Sequence, residues 1–307
     1  MANQYKERMA LLLAFGETPS VSDALSLCDP TEIEPELAKT ECNAVGDGGF
    51  PSKVVVFDPD GTTGKGGVTM KLQTPNAKGE LPRINDLLKT CGLDVDVDSD
   101  NGIVTYFPRD NDTGTRGTLI QYIDGEKRLF DGVVGNMKVE FTIGEPVKFT
   151  TDLSGFTEIE PIAEDTPSGI VLDGNPMFVV SSLSVSSLGG SAIRLKSVEL
   201  DLGVDVKKQN FVGEKEFTAL NPQPTLTIED KKNRGDVAPW SDLKNSVDKN
   251  FEIELVASNG QKLKLVSPVC KYNDLSSGDS DGVGTFKRVF DLHPDPTTKR
   301  KFELIYS

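Results

Sequence analysis

Four aspartates in alternate positions have the most regular spacing for cation binding in this sequence. They are Asp94, Asp96, Asp98 and Asp100. In a strand they would lie on one face, and carboxylate oxygens are the ligands that Ca²⁺ prefers. The EF-hand pattern is not met, because no glycine occupies its sixth position and no glutamate closes the loop. We therefore favour a strand whose aspartates face water while Leu93, Val95 and Val97 face the core.

Two other features could support catalysis, but neither has the neighbours that it needs. Residues 61–67 (GTTGKGG) resemble a phosphate-binding loop, yet Gly66 follows Lys65 where that loop needs a serine or threonine for the metal. The single histidine, His293, has no G-x-S-x-G nucleophile motif to act with. We therefore expect a flexible loop at residues 61–67 and a surface position for His293. No catalytic residue, metal, cofactor or enzymatic activity is expected.

The spacing of the four cysteines does not indicate a metal site, because none belongs to a CxxC motif. Cys91 lies on the apolar face of a helical segment and Cys270 in a strand-like segment, so both are interpreted as small buried hydrophobic residues. Cys28 and Cys42 are close enough in sequence for a disulfide, but the other cysteines favour a reduced state. Whether Cys28 and Cys42 pair stays open.

Composition and charge favour a β-rich protein with an acidic first half. The chain has 29 glycines and 18 prolines, many short β-branched runs and few helical segments. The net charge is −15, and residues 1–168 carry 29 acidic against 15 basic side chains. Such a surface repels phosphate, which disfavours sequence-specific DNA binding but not a channel through which DNA slides. The apolar segment 9–15 is far shorter than the roughly 20 residues of a membrane span, so we expect a soluble protein.

One supersecondary unit is predicted twice, in the order strand, long loop, strand, helix. The first copy comprises strand 53–58, loop 59–67, strand 68–74 and helix 82–92; the second comprises strand 196–202, connector 204–214, strand 216–230 and helix 239–247. Pro82 and Gly92 suit the two ends of the first helix, whose apolar face holds Ile84, Leu87, Leu88 and Cys91. The second helix is expected to bury Trp240, Leu243 and Val247.

Hairpins with strong turn dipeptides follow each helix. The predicted turns are Asn101-Gly102, Asp124-Gly125 and Asn259-Gly260. Strands are also expected at 127–134, 138–143, 147–154 and 285–292, with a loop at 279–284. The proline-rich segment 157–176 is the candidate boundary. The sequence therefore predicts a mainly β fold of two tandem antiparallel β-sandwich or barrel domains, each with one short helix, over residues 1–165 and 166–307.

The order of these features resembles the tail tube (major tail) proteins of long-tailed, non-contractile bacteriophages. The likeness includes an N-terminal arm, residues 28–35 (CDPTEIEP), the helix RINDLLKTCGL and the strand end at 106–108. Its most specific part is the hairpin TLIQYIDGEKRLFDGVVGNM, with a Gly-Asn-Met corner, followed by the strand KVEFTIGEPVKFTTDLSG. Residues 196–203 and 287–292 are similar to the companion domain of two-domain members. The likeness covers most of the chain.

The resemblance implies a structural role in a virion tail assembled in the host cytoplasm. Members of this family stack rings into a tube that carries DNA from capsid to host. Single-domain members form hexameric rings, so a chain with two copies would form the same ring from three subunits with pseudo-sixfold symmetry. The open alternative is a true hexamer whose second domain decorates the outside. The implied partners are other copies of the chain and the tape measure, terminator and distal tail proteins. DNA would pass through the lumen without specific binding, and no membrane is involved.

Two sets of residues are hypothesised to serve this role. Acidic hairpin strands would line the lumen and repel phosphate over a Debye length, roughly 8 Å, through Glu126, Asp131, Glu252 and Glu254. The loops 59–67 and 204–214, with the N-terminal arm, would contact the next ring through Asp60, Thr62, Thr63, Lys65, Lys207, Lys208 and Asn210. Deletion of residues 62–66 is expected to leave a folded protein that does not stack.

The main alternative function is a stand-alone β-sandwich module for binding or adhesion. Such a module would be expected to carry a secretion signal and an exposed aromatic platform, whereas the lone Trp240 is assigned to a helix face. An enzyme on a β scaffold is the third possibility. It needs a carboxylate pair in a cleft, which no motif indicates.

Overall fold

The computed structural model describes residues 9–25, 27–29, 33–37, 39–45, 51–57, 62–109, 114–170, 174–181, 184–211, 214–220, 222–280 and 282–307. For residues 27–29, 39–45 and 51–57 only the backbone is described. The fold is mainly β, with large antiparallel sheets and two short α-helices, as the sequence predicted. None of the described helices is long and apolar enough to cross a membrane.

In the described part of the first half, residues 1–165, there are twelve strands and helix α1 (Asn85–Thr90). The strands are β1 (Met9–Phe15), β2 (Leu27–Asp29), β3 (Glu34–Glu36), β4 (Lys39–Val45), β5 (Pro51–Phe57), β6 (Thr63–Lys71), β7 (Leu93–Asp98), β8 (Ile103–Pro108), β9 (Gly117–Ile123), β10 (Glu126–Thr142), β11 (Lys148–Thr157) and β12 (Ile162–Ala163).

Among the residues of the second half, 166–307, that the structure describes, there are ten strands and helix α2 (Ala238–Lys244). The strands are β13 (Val185–Leu188), β14 (Ser191–Ala192), β15 (Leu195–Asp201), β16 (Asp205–Phe211), β17 (Glu214–Leu220), β18 (Thr225–Lys231), β19 (Lys249–Val256), β20 (Lys262–Ser280), β21 (Val283–His293) and β22 (Glu303–Tyr306).

Both halves order their strands in the same way. In the first half the pairings run β1–β9–β10–β11–β6, and β6 also pairs with β2 and β3. In the second half they run β13–β19–β20–β21–β18–β15. In each half a short strand that comes later in the chain pairs with the start of the longest strand. These short strands are β12, which pairs with β10, and β22, which pairs with β20.

A two-stranded arm projects from the same place in each half. The first arm, β4 with β5, interrupts the pairing of β2 and β3 with β6; the second arm, β16 with β17, interrupts the pairing of β15 with β18. Each arm pairs seven residues with seven. The strand order therefore contains a repeated unit, but not with the predicted members: most of strand 53–58 is β5 of the first arm, and the counterpart of strand 196–202 is the β2–β3 pair. The domain boundary at residue 165 stays a prediction.

Irregularities in strand register recur at matching positions. The register shifts between Phe130 and Val133 on β10, and in the same way between Ser267 and Cys270 on β20. It also shifts between Leu27 and Asp29 on β2, and between Leu195 and Ser197 on β15. Because a one-residue slip moves every side chain to the other face, matching shifts place equivalent residues of the two halves on equivalent faces.

Every second side chain along many of the strands is buried, and these side chains form one core that both halves share. In β18, for example, Leu226 and Ile228 are fully buried while the residues between them are half-buried. One continuous cluster of buried side chains includes residues of both halves, such as Phe141 and Phe251. The last strand, β22, pairs with β20 on one side and with β8 of the first half on the other. The two halves are therefore joined by packing as well as by the chain.

Helix α1 confirms its prediction, and helix α2 does not. Ile84, Leu87, Leu88 and Cys91 are all buried, and Gly92 has a φ of +90°, the left-handed conformation that ends a helix. In α2 the only buried residue is Pro239, and Trp240 is 43% exposed. The apolar spacing of Trp240, Leu243 and Val247 predicted a buried face because it takes no account of what neighbouring elements cover.

Several predicted loops are strands. Residues 63–67 belong to β6, where glycines are tolerated because β3 and β11 pair on both sides. The connector 204–214 and the first part of strand 216–230 form the second arm, and the return strand is limited to β18. The strands predicted at 127–134 and 138–143 are one continuous strand, β10. The loop predicted at 279–284 is shorter, because β20 extends to Ser280 and β21 starts at Val283.

Candidate functional site

The two halves meet where β10 pairs with β15. The antiparallel pairing joins Lys138–Thr142 of β10 to Asp201–Ser197 of β15. At its ends the Leu202 amide donates to the Met137 carbonyl at 3.0 Å, and the Ile143 amide donates to the Lys196 carbonyl at 3.1 Å. A continuous sheet, β6–β11–β10–β15–β18–β21, therefore crosses from one half to the other. We name the β10–β15 pairing the junction.

A polar network fixes the register of the junction. The Asn136 amide nitrogen donates to Asp201 Oδ1 at 2.9 Å, and Asn136 Oδ1 accepts from the Val204 amide at 3.1 Å. Asp201 also accepts from the Gly203 amide and from Lys138 Nζ, both at 2.9 Å. Burial alone would raise the pKa of Asp201, but the hydrogen bonds from Asn136 and Lys138 outweigh it and hold that pKa below its usual value. The hydrogen bond to Asp201 in turn raises the pKa of Lys138.

The second arm packs onto the first half. Phe217 of this arm is 3% exposed, and its ring lies 4.7 Å from the ring of Phe156 on β11, centroid to centroid. Arg116 Nε donates to the Phe217 carbonyl at 2.8 Å, and the Arg116 guanidinium lies 3.7 Å from Glu216. The join between the halves therefore has two parts, the β10–β15 strand pairing and an arm that packs on the first half beyond the Lys138 end of that pairing.

The matching register shifts identify the outer counterparts of the junction. They equate Asp29 with Ser197, and hence their β6 and β18 partners, Thr69 with Glu229. In the first half, Thr69 pairs with Thr150, which pairs with Lys138; in the second half, Glu229 pairs with Lys287, which pairs with Ser276, so Lys138 of β10 is equivalent to Ser276 of β20. Four residues before Thr69 and Glu229 lie Lys65 and Thr225. Their partners are Glu34 and Asp201, so Asp201 of β15 is equivalent to Glu34 of β3.

Within the described part of the chain, both counterparts lack a strand partner on their outer side, although the Ile33 amide next to β3 donates to Gln121 Oε1 at 3.2 Å and Ile33 is buried. β2 and β3 pair there with β6 alone, and from residue 271 onward β20 pairs with β21 alone. Residues 276–279 are exposed, whereas Val139 and Phe141 at the corresponding part of β10 are buried. We name residues 275–280 the β20 edge and the described residues 27–29 and 33–36 the β2–β3 edge.

The continuous sheet has one polar face, opposite the core. Ion pairs connect neighbouring strands across it: Lys148 Nζ lies 3.4 Å from Glu140, Lys138 Nζ lies 3.7 Å from Glu199. Lys196 Nζ lies 2.9 Å from Glu229 at the edge of the same surface. These lysines are already engaged by carboxylates, so the face offers less positive charge to a phosphate backbone than its lysine content suggests.

The four acidic residues proposed for a lumen do not share one environment. Asp131 lies on the face of β10 opposite to the buried Phe130. Glu126 is four residues before Phe130, so alternation places it on the same face as Phe130. Glu252 and Glu254 lie on the polar side of β19 and form ion pairs with β20, Glu252 with Lys264 at 2.9 Å and Glu254 with Lys262 at 2.8 Å. Their role in a lumen stays a prediction, and alternation disfavours Glu126.

The residues proposed for contact with the next ring are placed differently from the expectation. Asp60 lies outside the described residues, and so does the side chain of Asn210. Thr62 and Thr63 are buried, and Thr63 and Lys65 lie within β6. Deletion of residues 62–66 would therefore remove paired backbone of β6, which disfavours a folded product, and the role of these residues in ring contact stays a prediction. In the second arm Lys207 pairs with Asp205 at 2.8 Å, and Lys208 Nζ lies 5.8 Å from the Phe156 ring of the same chain.

The alternate aspartates are used in local contacts. Asp94 accepts from Arg109 Nε at 2.8 Å, and Arg300 approaches Asp96 at 3.4 Å. Hydrogen bonds from Asn101 lower the pKa of Asp98. The expectation that Val97 faces the core is wrong, since it lies at the strand end and is 41% exposed. Among the residues that the structure describes, no three His, Cys, Asp or Glu side chains are grouped to hold a metal.

The described cysteines and the histidine lie where the sequence predicted. Cys91 and Cys270 are buried and unbridged, and burial raises the pKa of both thiols, that of Cys270 to about 11. His293 is exposed at the end of β21. The side chains of Cys28 and Cys42 lie outside the described part of the structure, so their pairing stays open.

Sequence reasoning missed the junction network. The Gly-Asn-Met corner at residues 135–137 was identified as a motif, but nothing local indicated that Asn136 binds a residue 65 positions later. A comparison with models of known protein families gave no match, and neither did a comparison with curated proteins.

Proposed function

We propose that the chain is the subunit of a phage tail tube, in which rings of identical chains stack around a lumen that genomic DNA passes through. The observation that carries this proposal is the repeated strand order joined edge to edge, with the β20 edge and the β2–β3 edge open at its two ends. A unit with two different open edges associates head to tail, and such association closes into a ring or continues as a filament.

The internal junction supports closure into a ring of three chains. If each contact between chains repeats the geometry of the junction, three chains supply six similar units, which is pseudo-sixfold symmetry. Closure also pairs the β20 edge and the β2–β3 edge; unpaired edge strands otherwise promote aggregation. A hexamer with its second half outside the wall is the competing arrangement, and the symmetry of the ring distinguishes the two.

The polar face of the continuous sheet is the surface that suits a lumen. Its lysines Lys138, Lys148 and Lys196 are paired with carboxylates, and the chain as a whole is acidic. DNA would therefore pass a wall that does not attract its phosphates. Any repulsion acts over about one Debye length, roughly 8 Å at physiological ionic strength. Asp131, Glu252 and Glu254 remain candidates for this wall by their side of the strand.

Stacking of rings is assigned to segments outside this wall, with the terminator, tape measure and distal tail proteins as the further partners of a virion tail. Assembly would take place in the host cytoplasm. We assign no enzymatic activity and no cofactor to the chain.

Negative-stain electron microscopy of the purified protein at increasing concentration tests the proposal. Hollow tubes or rings with a regular repeat are the expected result, accompanied by a sizing-column mass above that of one 33.2 kDa chain. A monomer at every concentration, also after addition of tail initiator proteins, would contradict the tube and favour the stand-alone binding or adhesion module.

A further inference from the structure

We propose that the β20 edge of one chain pairs antiparallel with the β2–β3 edge of a second copy of this chain, in the register that the junction has within the chain. The inference rests on the proposed function, since it names the surface through which the rings would form. The partner is another copy of the chain, and the interface is heterologous because two different edges are in contact.

The junction shows the same type of contact once within the chain. Within the chain, Lys138 of β10 faces Asp201 of β15. Register equates these residues with Ser276 and Glu34, as established above. A second chain placed by the same geometry would therefore bring Glu34 opposite Ser276. Asp29, which is equivalent to Ser197, would lie opposite Ser280, the equivalent of Thr142.

Alternate backbone amides and carbonyls of the β20 edge face away from β21, toward the side where a second chain would pair. The ends of the junction show that residues 137 and 143 of β10 bond to β15, so the odd-numbered residues between them face β15 as well. Their equivalents, residues 275, 277 and 279, face away from β21, because a two-residue turn makes Ser280 and Val283 a bonded pair. These outward amides and carbonyls have no strand partner among the described residues.

The first arm is placed to pack beside the new contact. The second arm packs on the first half beyond the end of the internal junction, through Phe217 on Phe156. The first arm has the same length and the same position next to the β2–β3 edge. In an assembly it would extend onto the second half of the neighbouring copy. The Ile33 amide, at the position equivalent to Leu200, already donates to Gln121 Oε1 at 3.2 Å, so the pairing between chains has one backbone hydrogen bond fewer than the junction.

Cysteine cross-linking tests the register directly. Lys138 and Asp201 form a pair that does not exchange backbone hydrogen bonds, the type whose Cα atoms approach to about 4.5 Å and can be bridged by a disulfide. The predicted intermolecular equivalent is Glu34→Cys with Ser276→Cys, in a background with Cys28→Ser and Cys42→Ser. The intramolecular positive control is Lys138→Cys with Asp201→Cys.

The two single variants are mixed and oxidised, and the linked peptides are identified by mass spectrometry. A 34–276 disulfide between chains is expected from the mixture, with much less product from either variant alone. Glu36→Cys mixed with Ser276→Cys is the control that is out of register by two residues. A missing 34–276 link at the highest soluble concentration, or an equal yield from the control, would overturn the pairing.

Blocking the edge gives a second, independent measurement. Ser277→Pro removes an outward amide and leaves the bonds to β21 in place, so the chain should fold while self-association weakens by about tenfold or more. Ser277→Val keeps the amide and is the matched control. Unchanged self-association of a folded Ser277→Pro protein would contradict the inference. If tubes form without the 34–276 link, this pairing is contradicted but the tail tube function is not. If the link forms without tubes, the tail tube function is contradicted but the pairing is not.

Discussion

Gly135 is a residue whose missing side chain lets β10 approach β11 next to the junction. A Cβ at this position would lie 2.7 Å from the Asp152 carbonyl oxygen and 2.7 Å from Leu153 Cδ2. We predict that Gly135→Ala lowers the free energy of unfolding by about 1–3 kcal/mol, because the backbone of β11 cannot yield without losing its pairing. Urea denaturation measures the change. Gly174→Ala, where nothing lies within 4 Å, is the control, and equal effects of the two substitutions would refute the explanation.

Asp201 makes the junction sensitive to acid. Its pKa is lower in the folded chain than in the unfolded one, so folding favours the ionised form. This stabilisation is complete above the unfolded pKa, roughly 3.9, and is lost as the pH falls through the folded value. We predict that Asp201→Asn lowers stability at pH 6 and flattens the loss of stability below pH 4, measured by urea denaturation across that range. Asp274→Asn, at an exposed site, is the control. An unchanged pH slope in Asp201→Asn would contradict the account.

At the scale of elements, Phe217 holds the second arm against the first half. Phe217 packs on Phe156, and the Phe217 carbonyl accepts from Arg116. We predict that Phe217→Ala releases residues 205–220 while the core strands stay folded, because the arm pairs only with itself. Hydrogen exchange should accelerate about tenfold or more in the arm and remain unchanged in β18. Lys207→Ala, an exposed change on the same arm, should leave exchange unaltered. Equal protection of the arm in wild type and Phe217→Ala would show that other contacts hold it.

Elements with strong local signals were predictable from the sequence. Helix α1 has an apolar face and a terminal glycine, and both appear in the structure. The turn at Asp124-Gly125 has φ of 51° and 83°, the conformation that this dipeptide favours.

Elements that depend on distant partners were not predictable. The segment 63–67 is glycine-rich and therefore resembled a loop. It is a strand because β3 and β11 pair beside it, and Gly64 is required where the Phe130 ring lies against it. The second arm lacked an apolar period, since its strands pair with each other away from the core. The junction was missed for the same reason, because Asn136 and Asp201 are close only after both halves have folded.

At the scale of the molecule, the last strand ties the two halves together. Leu304 and Tyr306 are buried between β20 and β8, and the Tyr306 ring lies 6.0 Å from that of Tyr106 in the first half. We predict that residues 1–165 expressed alone, or the chain without residues 302–307, fail to fold, because each exposes a large part of the shared core. Circular dichroism and thermal unfolding measure this. A cooperative transition in residues 1–165 alone would show that the first half is an independent domain.

The central claim is that one duplicated chain supplies two similar units of a ring. Cryo-electron microscopy of end-on particles tests it most directly. The account predicts averages with threefold symmetry, six similar lobes and an open centre. Averages with six identical chains and the second half outside the wall, or particles with no closed ring, would contradict it.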